Sequence, residues 1–520
     1  MYVSKRPNLP TLLDGGGRVA VRGRAGKLGA KDFCVSVNSG YSASFNILQH
    51  VLFAYLEQEG FYSHRTDVNS YDVYKVDDGI ASRVDVADVI RYIIDNAFHE
   101  RRVHRSTGEV TLRLNNKYKM HYERFFSNPN RYFGASKVSL LKELSADLLR
   151  DTKDRSYFFY LNGVVVVTAD DIKLQTYEKT LGKGKIVLAD SIKKREVEIV
   201  DRDVALESDF SVFMTRAVTD EGVSSLRRSM GYMMHRHKDP ARAKMVFYSD
   251  AERSEGIAFG RTGKSLCAKV ALSQMRNVSV VDGKQFSSSD RFMLDGVDPS
   301  ADIISFQDMR KAFDKEALYN MITGDLQINQ KYKSVRTIPF ELSPKLIADS
   351  NYGISLLGSS DLARINVVGF DNYYNDLHQP RDDFGGRTFF SEWSPEQWHE
   401  FDTLMFMCVQ EYLQLGLKNH RLDDMVSNNL YTRYPADLVD MIKDNRDILL
   451  HKNTPETWFD HIPYWKDDNY TKRREKIAII STIMKESGFT RYANKRSVRI
   501  MDEVTGEERQ TSEYVYWFEE

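Results

Sequence analysis

The chain has 520 residues, 42% of them hydrophobic and 28% charged, with 73 Lys and Arg set against 74 Asp and Glu. That length exceeds a single core and predicts about three domains, while the balanced charge excludes a whole-surface basic field and confines any nucleic-acid contact to a local channel. Three widely spaced cysteines, Cys34, Cys267 and Cys408, exclude a disulfide framework and a cysteine zinc site; with no apolar run of membrane-spanning length and no apolar secretion signal, a cytoplasmic chain without a membrane partner is expected.

Residues 1–40 are rich in Gly, Arg and Lys (GGGRVAVRGRAGKLGAK) and read as a basic flexible arm. Gly26-Lys27 within it has no strand before it and is followed by Leu28, so it is not taken as a phosphate loop. Residues 41–150 read as a small α+β module. In it SFNILQHVLFAYLEQEGF is a helix ended by Gly60, YDVYKV alternates as a strand, and DVADVIRYIIDNAF has helical periodicity. The basic run HERRVHR at 99–105 reads as a solvated helix end in preference to a DNA-facing edge, and a further helical stretch is expected around 137–150.

Residues 151–240 begin with the β-branched strand signal YFFYLNGVVVVT and pass to FSVFMTRAV and VSSLRRSMGYMMHRH, whose helical periods suggest a collar ahead of the next domain. His235 and His237 have no third ligand at metal spacing and read as surface or cap residues.

Residues 241–390 carry the chemistry. In MVFYSDAERSEGIAFGRTGKS an apolar strand runs into a glycine-containing turn ending Gly263-Lys264-Ser265, and LCAKVALSQM continues with helical spacing. A polyphosphate needs such a turn, whose N–H groups wrap it, a lysine for its charge, and a helix N-terminus facing it. The nucleotide contacts are assigned to Gly260, Arg261, Thr262, Gly263, Lys264, Ser265 and Leu266, with the Ser265 hydroxyl toward Mg2+. The usual first glycine of the pattern is replaced by Ala258, with Gly256 and Gly260 close by.

Further along, ADIISFQDM gives a second strand ending in Gln307-Asp308, where two adjacent acids would serve metal and water; only Asp308 is acidic. LQINQKYK reads as one arm of a hairpin presenting Lys331, Tyr332 and Lys333, two cations for phosphate and one ring for stacking on a base of single-stranded DNA. KLIADSNYG is a third strand placing Asn351 to hydrogen-bond the γ-phosphate or the attacking water. SSDLARINVVGF sets Arg364 before a fourth, where a guanidinium could serve a neighbouring subunit's ATP. Residues 391–520 read as a helical C-terminal module: SPEQWHEFDTLMFMCVQEYLQLGL opens with a Ser-Pro start, and the tail suggests helices followed by a strand.

The ordered set GRTGKS, IISFQDM, ITGDLQINQKYK, KLIADSNY and SSDLARINVVGF resembles a superfamily 3 helicase of the AAA+ type, and more narrowly the primase-helicase proteins of bacteriophages and related mobile elements. The resemblance covers about half the chain, 157–417. It implies an α/β fold: an AAA+ P-loop ATPase core with a helical collar before it and small α+β modules, winged helix being one option, at both ends.

It also implies ATP and Mg2+ as cofactors, a hexameric ring with ATP between subunits, 3′-to-5′ movement on single-stranded DNA, other replication proteins as partners, and the cytoplasm of a bacterial host. By the same resemblance Lys264 and Ser265 hold phosphates and Mg2+, and Asp308 is the surviving acid and a metal ligand. Asn351 becomes the sensor, Arg364 the arginine finger, and Lys331 and Lys333 the DNA cations. Residues 1–150 show no Asp-x-Asp pair on a strand and no Cys cluster, so a primase is not expected. The alternative is an ATP-dependent DNA-binding ring or replication initiator in which Gln307 has weakened hydrolysis; a small-molecule P-loop kinase is disfavoured by length and by the Lys-Tyr-Lys hairpin.

Overall fold

The computed structural model describes residues 28–38, 43–67, 70–103, 110–145, 147–182, 184–251, 260–310, 313–331, 335–354, 356, 359–421, 430, 433–465, 471–501 and 508–519. The chain divides into two compact units, Met1–Ala146 and Asp147–Glu520.

In the first unit, order begins earlier than a flexible arm to residue 40 would have it. A helix at Ala30–Phe33 runs into strand Cys34–Asn38, which pairs antiparallel with Ala43–Ile47, because Phe33 is fully buried and anchors the segment. Gly26-Lys27 lies outside the described residues. Helix Gln49–Gln58 leads to an antiparallel meander of Phe61–Asp67, Ser70–Asp77 and Ile80–Val84.

Helix Val86–Ile93 is capped by Asp85, whose carboxylate accepts from the Asp88 N–H at 2.9 Å, and it widens into a π-turn at Ile94–Phe98. There the HERRVHR reading is corrected: the chain becomes strand His99–Val103, paired with Val110–Leu114, and His99 Nδ1 lies 2.8 Å from the Ile94 carbonyl of the π-turn. The helix expected around 137–150 is likewise replaced by a 3-10 turn at Ala135–Leu140 and extended chain. Ser63 takes over the backbone there: its N–H donates to Lys142 O at 2.9 Å and its O accepts from Leu144 N at 2.8 Å.

The second unit opens with an antiparallel set, Ser156–Tyr160, Gly163–Val167 and Ile172–Gln175, extended by Ile192–Lys193 parallel to the first. The two expected collar helices are the two arms of α1 (Asp209–Met234), separated by a kink where Thr219 leaves helical geometry at φ 62° and ψ 171°. It ends at His235, which is a buried cap and not a surface residue: the ring is 2% exposed and Nε2 lies 2.7 Å from the Thr152 carbonyl.

Five strands then build the central sheet: β1 (Met245–Asp250), β2 (Val278–Asp282), β3 (Ile303–Gln307), β4 (Lys345–Ser350) and β5 (Ile365–Phe370). Their order is β2-β3-β4-β1-β5 and every pairing is parallel. A parallel sheet must be covered on both faces, and alternate residues divide accordingly. Val246, Tyr248, Ile303, Ile347 and Val368 pack with α1 and with α2 (Pro395–Leu415). Met245, Phe247, Ile304, Leu346 and Val367 pack on the other side with Leu318 and Ile322. This mixed α/β arrangement is compatible with a P-loop core.

α2 begins with a capping box, Ser394 accepting from Gln397 N at 3.4 Å with Pro395 next, and it lies so close to α1 that a Cβ on Gly231 would stand 2.0 Å from Cys408 O. α2 therefore belongs to the central core and not to a separate segment starting at 391. The C-terminal part has its own core, centred on Trp458, Ile480, Ile483 and Phe518. Helices Ala436–Asp444, Arg446–Leu450, Pro455–His461 and Arg473–Glu486 precede an antiparallel hairpin of Thr490–Met501 with Glu508–Glu519, where one strand alone was expected. Among the described residues no helix is long and apolar enough to cross a membrane.

Candidate functional site

In an open parallel sheet, ligands are met beyond the carboxyl ends of the strands; the loop at 260–266, Asp308 and Asn351 follow those ends, whereas Arg364 precedes the amino end of β5. β1 stops at Asp250; Gly256 and Ala258 lie outside the described residues, and the chain resumes at Gly260. Arg261 and Gly263 both have positive φ, 66° and 95°. Alternation of this kind turns successive N–H groups toward one concavity. Gly263 is required twice over, because an added Cβ would also stand 2.7 Å from Phe213 Cζ of α1. The helix opens at once, Cys267 N–H donating to Gly263 O at 3.2 Å, through a π-turn (Leu266–Ala271) into Leu272–Met275. Leu266 is half-buried against the core, and Arg261 reaches out to Asp376 at 3.0 Å.

Lys264 is not extended into solvent. Its ammonium is ion-paired with Asp250 and donates to Thr262 Oγ1 at 2.9 Å, and Thr262 in turn donates to Asp250 at 2.8 Å. Both members of the pair are nearly inaccessible, with side chains 5% and 6% exposed. Asp250 was not singled out from the sequence. Ser265 is exposed, and its hydroxyl donates to Asp349 Oδ2 at 3.4 Å.

Asp349, also missed, is 1% exposed near the end of β4, the strand between β1 and β3. Its Oδ1 accepts the Asp308 N–H at 2.9 Å and its carbonyl accepts the Met309 N–H at 2.8 Å. Burial pushes the Asp349 carboxyl above the usual range, opposed by the Asp308 N–H and by Lys264.

The acidic pair position at the end of β3 is divided. Gln307 turns its amide to Ser305 Oγ at 2.6 Å, and Ser305 donates to Ala268 O in the turn after the loop at 3.2 Å. Asp308 sits at φ 55°, a costly conformation for a non-glycine residue. Its carboxylate is exposed and ion-paired with Lys284 at 3.2 Å, while its backbone N–H serves Asp349.

Asn351, one residue past β4, is half-buried and makes no hydrogen bond among the described residues. Arg364 ends the short helix Ser359–Arg364; Nη1 donates to the Ser360 carbonyl at 3.2 Å and the guanidinium lies 5.2 Å from the Tyr319 ring centroid. The hairpin strands are Leu326–Ile328 and Arg336–Ile338. Beyond the first strand Asn329 donates to Arg291 O at 3.0 Å and the Lys331 N–H to Asp295 at 2.9 Å, with Lys331 exposed. Tyr332 and Lys333 lie outside the described residues. Among the described residues no group of three or more His, Cys, Asp or Glu side chains is disposed to hold a metal by itself.

No family model matches the chain, and no curated protein matches it. Among solved structures, the apo A form of the NrS-1 C-terminal region aligns over 65% of this chain and 84% of its own, at 13% identity and a TM-score of 0.29. JCV helicase bound to N-(4-(2-(thiazolo[5,4-c]pyridin-2-yl)phenoxy)phenyl)acetamide aligns over 47% of this chain at 11% identity and a TM-score of 0.26; the match spans 65% of that chain, just under two thirds of its length. Superpositions this loose assign no function, and the functional reading rests on the loop, the strand ends and their side chains.

Proposed function

We propose that the chain is an ATP-dependent DNA helicase of phage or mobile-element replication, working on single-stranded DNA as a hexameric ring. The observation that carries this reading is the juxtaposition beyond the central sheet: a turn with two positive-φ residues, Lys264 buried behind it, and the Ser265 hydroxyl against an acid from the adjoining strand. These residues suit a nucleoside triphosphate. The Arg261–Gly263 turn would bind phosphate oxygens through N–H groups, and Lys264 would exchange Asp250 for a phosphate. Mg2+, when bound, supplies charge neutralisation of the phosphates, with Ser265 at its edge.

The remaining roles are those that the sequence motifs imply. Asp308 orients the attacking water, Asn351 senses the terminal phosphate, and Arg364 serves the ATP of the adjacent subunit once it leaves Ser360. Lys331, with Tyr332 and Lys333, contacts the DNA strand. The C-terminal helices and their long hairpin are read as a winged-helix module for duplex DNA.

One observation favours the second reading, an ATP-dependent ring that binds DNA with little turnover: the Asp308 carboxylate is engaged by Lys284 and its neighbour Gln307 is neutral. The assembly is tested by mass photometry with ATP and single-stranded DNA. Rings of about six subunits are expected, and persistent monomers would sink the motor reading. Strand displacement on a forked duplex separates helicase from binding ring.

A further inference from the structure

We propose that Asp349 provides the carboxylate of the Mg2+ site, taking over the place that Gln307 leaves without charge. This rests on the nucleotide reading of the loop and assigns a residue that the motif order passes over.

The sheet register makes the exchange geometrically simple. β3 and β4 are parallel neighbours with Phe306 opposite Ala348, so the next residues along the two strands are Gln307 and Asp349. A carboxylate lost from one strand end is thus offered by the strand beside it. Of these side chains it is Asp349 that meets the loop hydroxyl, at 3.4 Å from Ser265 Oγ. Gln307 is committed to Ser305 at 2.6 Å, and the Asp308 carboxylate to Lys284 at 3.2 Å.

Two features mark Asp349 as more than a strand-end acid. It is 1% exposed yet has no ion-pair partner among the described residues, an arrangement that is costly unless a cation completes it. It is also held from its own side. The Asp308 N–H donates to Oδ1 at 2.9 Å, leaving Oδ2 for Ser265, and the positive φ of Asp308 is part of the backbone path that presents that N–H. The strain at Asp308 therefore has a use independent of its own carboxylate. A hydroxyl and one carboxylate are a small protein share of an octahedral ion, as expected where phosphates and waters complete the shell, and they agree with the absence of any cluster of three protein ligands among the described residues.

The test measures binding, not turnover. A fluorescent ATP analogue is titrated into the full chain with Mg2+ and with EDTA, and the ratio of the two dissociation constants is compared across variants. Wild type should bind more tightly with Mg2+. Asp349→Asn should lose that advantage, by at least the roughly 10–100-fold that weakened metal shells cost, while keeping its affinity in EDTA. Gln307→Ala should retain the advantage, and Gln307→Asp combined with Asp349→Asn should recover part of it.

An Asp349→Asn variant that keeps the full Mg2+ advantage overturns the proposal, as does a Gln307→Ala variant that loses it. The Gln307→Ala arm keeps the proposal refutable even if Asp349→Asn fails to fold. Wild type that binds no nucleotide under either condition overturns the nucleotide reading itself, an outcome distinct from the other two.

Discussion

The buried pair between Lys264 and Asp250 sets a cost on nucleotide binding that can be measured. The lysine that the loop would lend to a phosphate is held by a carboxylate on the preceding strand and by Thr262 at 2.9 Å, with both charged side chains about 5–6% exposed. Replacing Asp250→Asn removes the charge and keeps the shape. In the nucleotide-free protein the buried ammonium then lacks its counter-charge, and a hydrogen bond between charged groups worth about 1.5–3 kcal/mol is lost. In the complex the phosphates supply the charge, so most of that loss is absent.

The difference appears as affinity. At 1.4 kcal/mol per tenfold, nucleotide should bind roughly 10–150-fold more tightly to Asp250→Asn than to wild type. The unliganded variant should melt at a lower temperature, and ligand should raise its melting point by more than it raises that of wild type. Calorimetric titration in EDTA with parallel thermal unfolding reads both quantities. If affinity falls instead, Asp250 is positioning Lys264 for the phosphate and the competition argument is wrong.

Three further outcomes are expected. Gly263→Ala forces a Cβ to 2.7 Å from Phe213 at φ 95°, so it should cost about 1–3 kcal/mol and abolish nucleotide binding; normal binding would show that the loop moves freely off α1. His235 is held neutral by burial and by Lys345, against Asp151 and the Thr152 carbonyl, with His237 adding to the lowering; its pKa falls from 6.5 to about 4. The unfolded chain therefore binds the extra proton first, and stability should fall by up to about 3 kcal/mol as pH drops from 6.5 to 4. His235→Gln should flatten that segment of the stability profile, and an unchanged slope there would contradict the assignment. Arg364→Ala should reduce turnover by roughly 1000-fold or more while leaving nucleotide affinity within a few-fold; parallel loss of affinity would mean the residue acts through Ser360 and Tyr319 on the fold.

The central strands were legible because a parallel sheet covered on both faces writes short apolar runs, as at 245–248 and 346–348, inside strands where every residue is buried. Helix α2 was legible from its Ser394-Pro395 start and its end at Gly416. Thr490–Met501 was missed because TRYANKRSVRIM carries charge on both faces of the strand and shows no alternation; only its pairing with Glu508–Glu519 makes it a strand. HERRVHR was misread because helical periodicity runs straight into it, and the π-turn that ends the helix has no local signal.

At the site, local chemistry was readable and tertiary pairing was not. The Gly263-Lys264-Ser265 turn announces itself, but that Lys264 meets Asp250, or Ser265 meets Asp349, depends on side chains brought together by strand order. Asp349 stood in plain view two residues before Asn351 in KLIADSN. A neutral Gln307 in the expected acidic position was itself the signal to look for a replacement acid on a neighbouring strand.

Whether the loop binds ATP for a DNA-coupled motor is read from ATP hydrolysis with and without single-stranded DNA, comparing wild type with Lys264→Ala. Turnover that DNA stimulates and that the variant loses is expected. Turnover no greater than that of Lys264→Ala, with ATP and DNA both bound, would contradict the motor and leave the nucleotide-stabilised DNA-binding ring in its place.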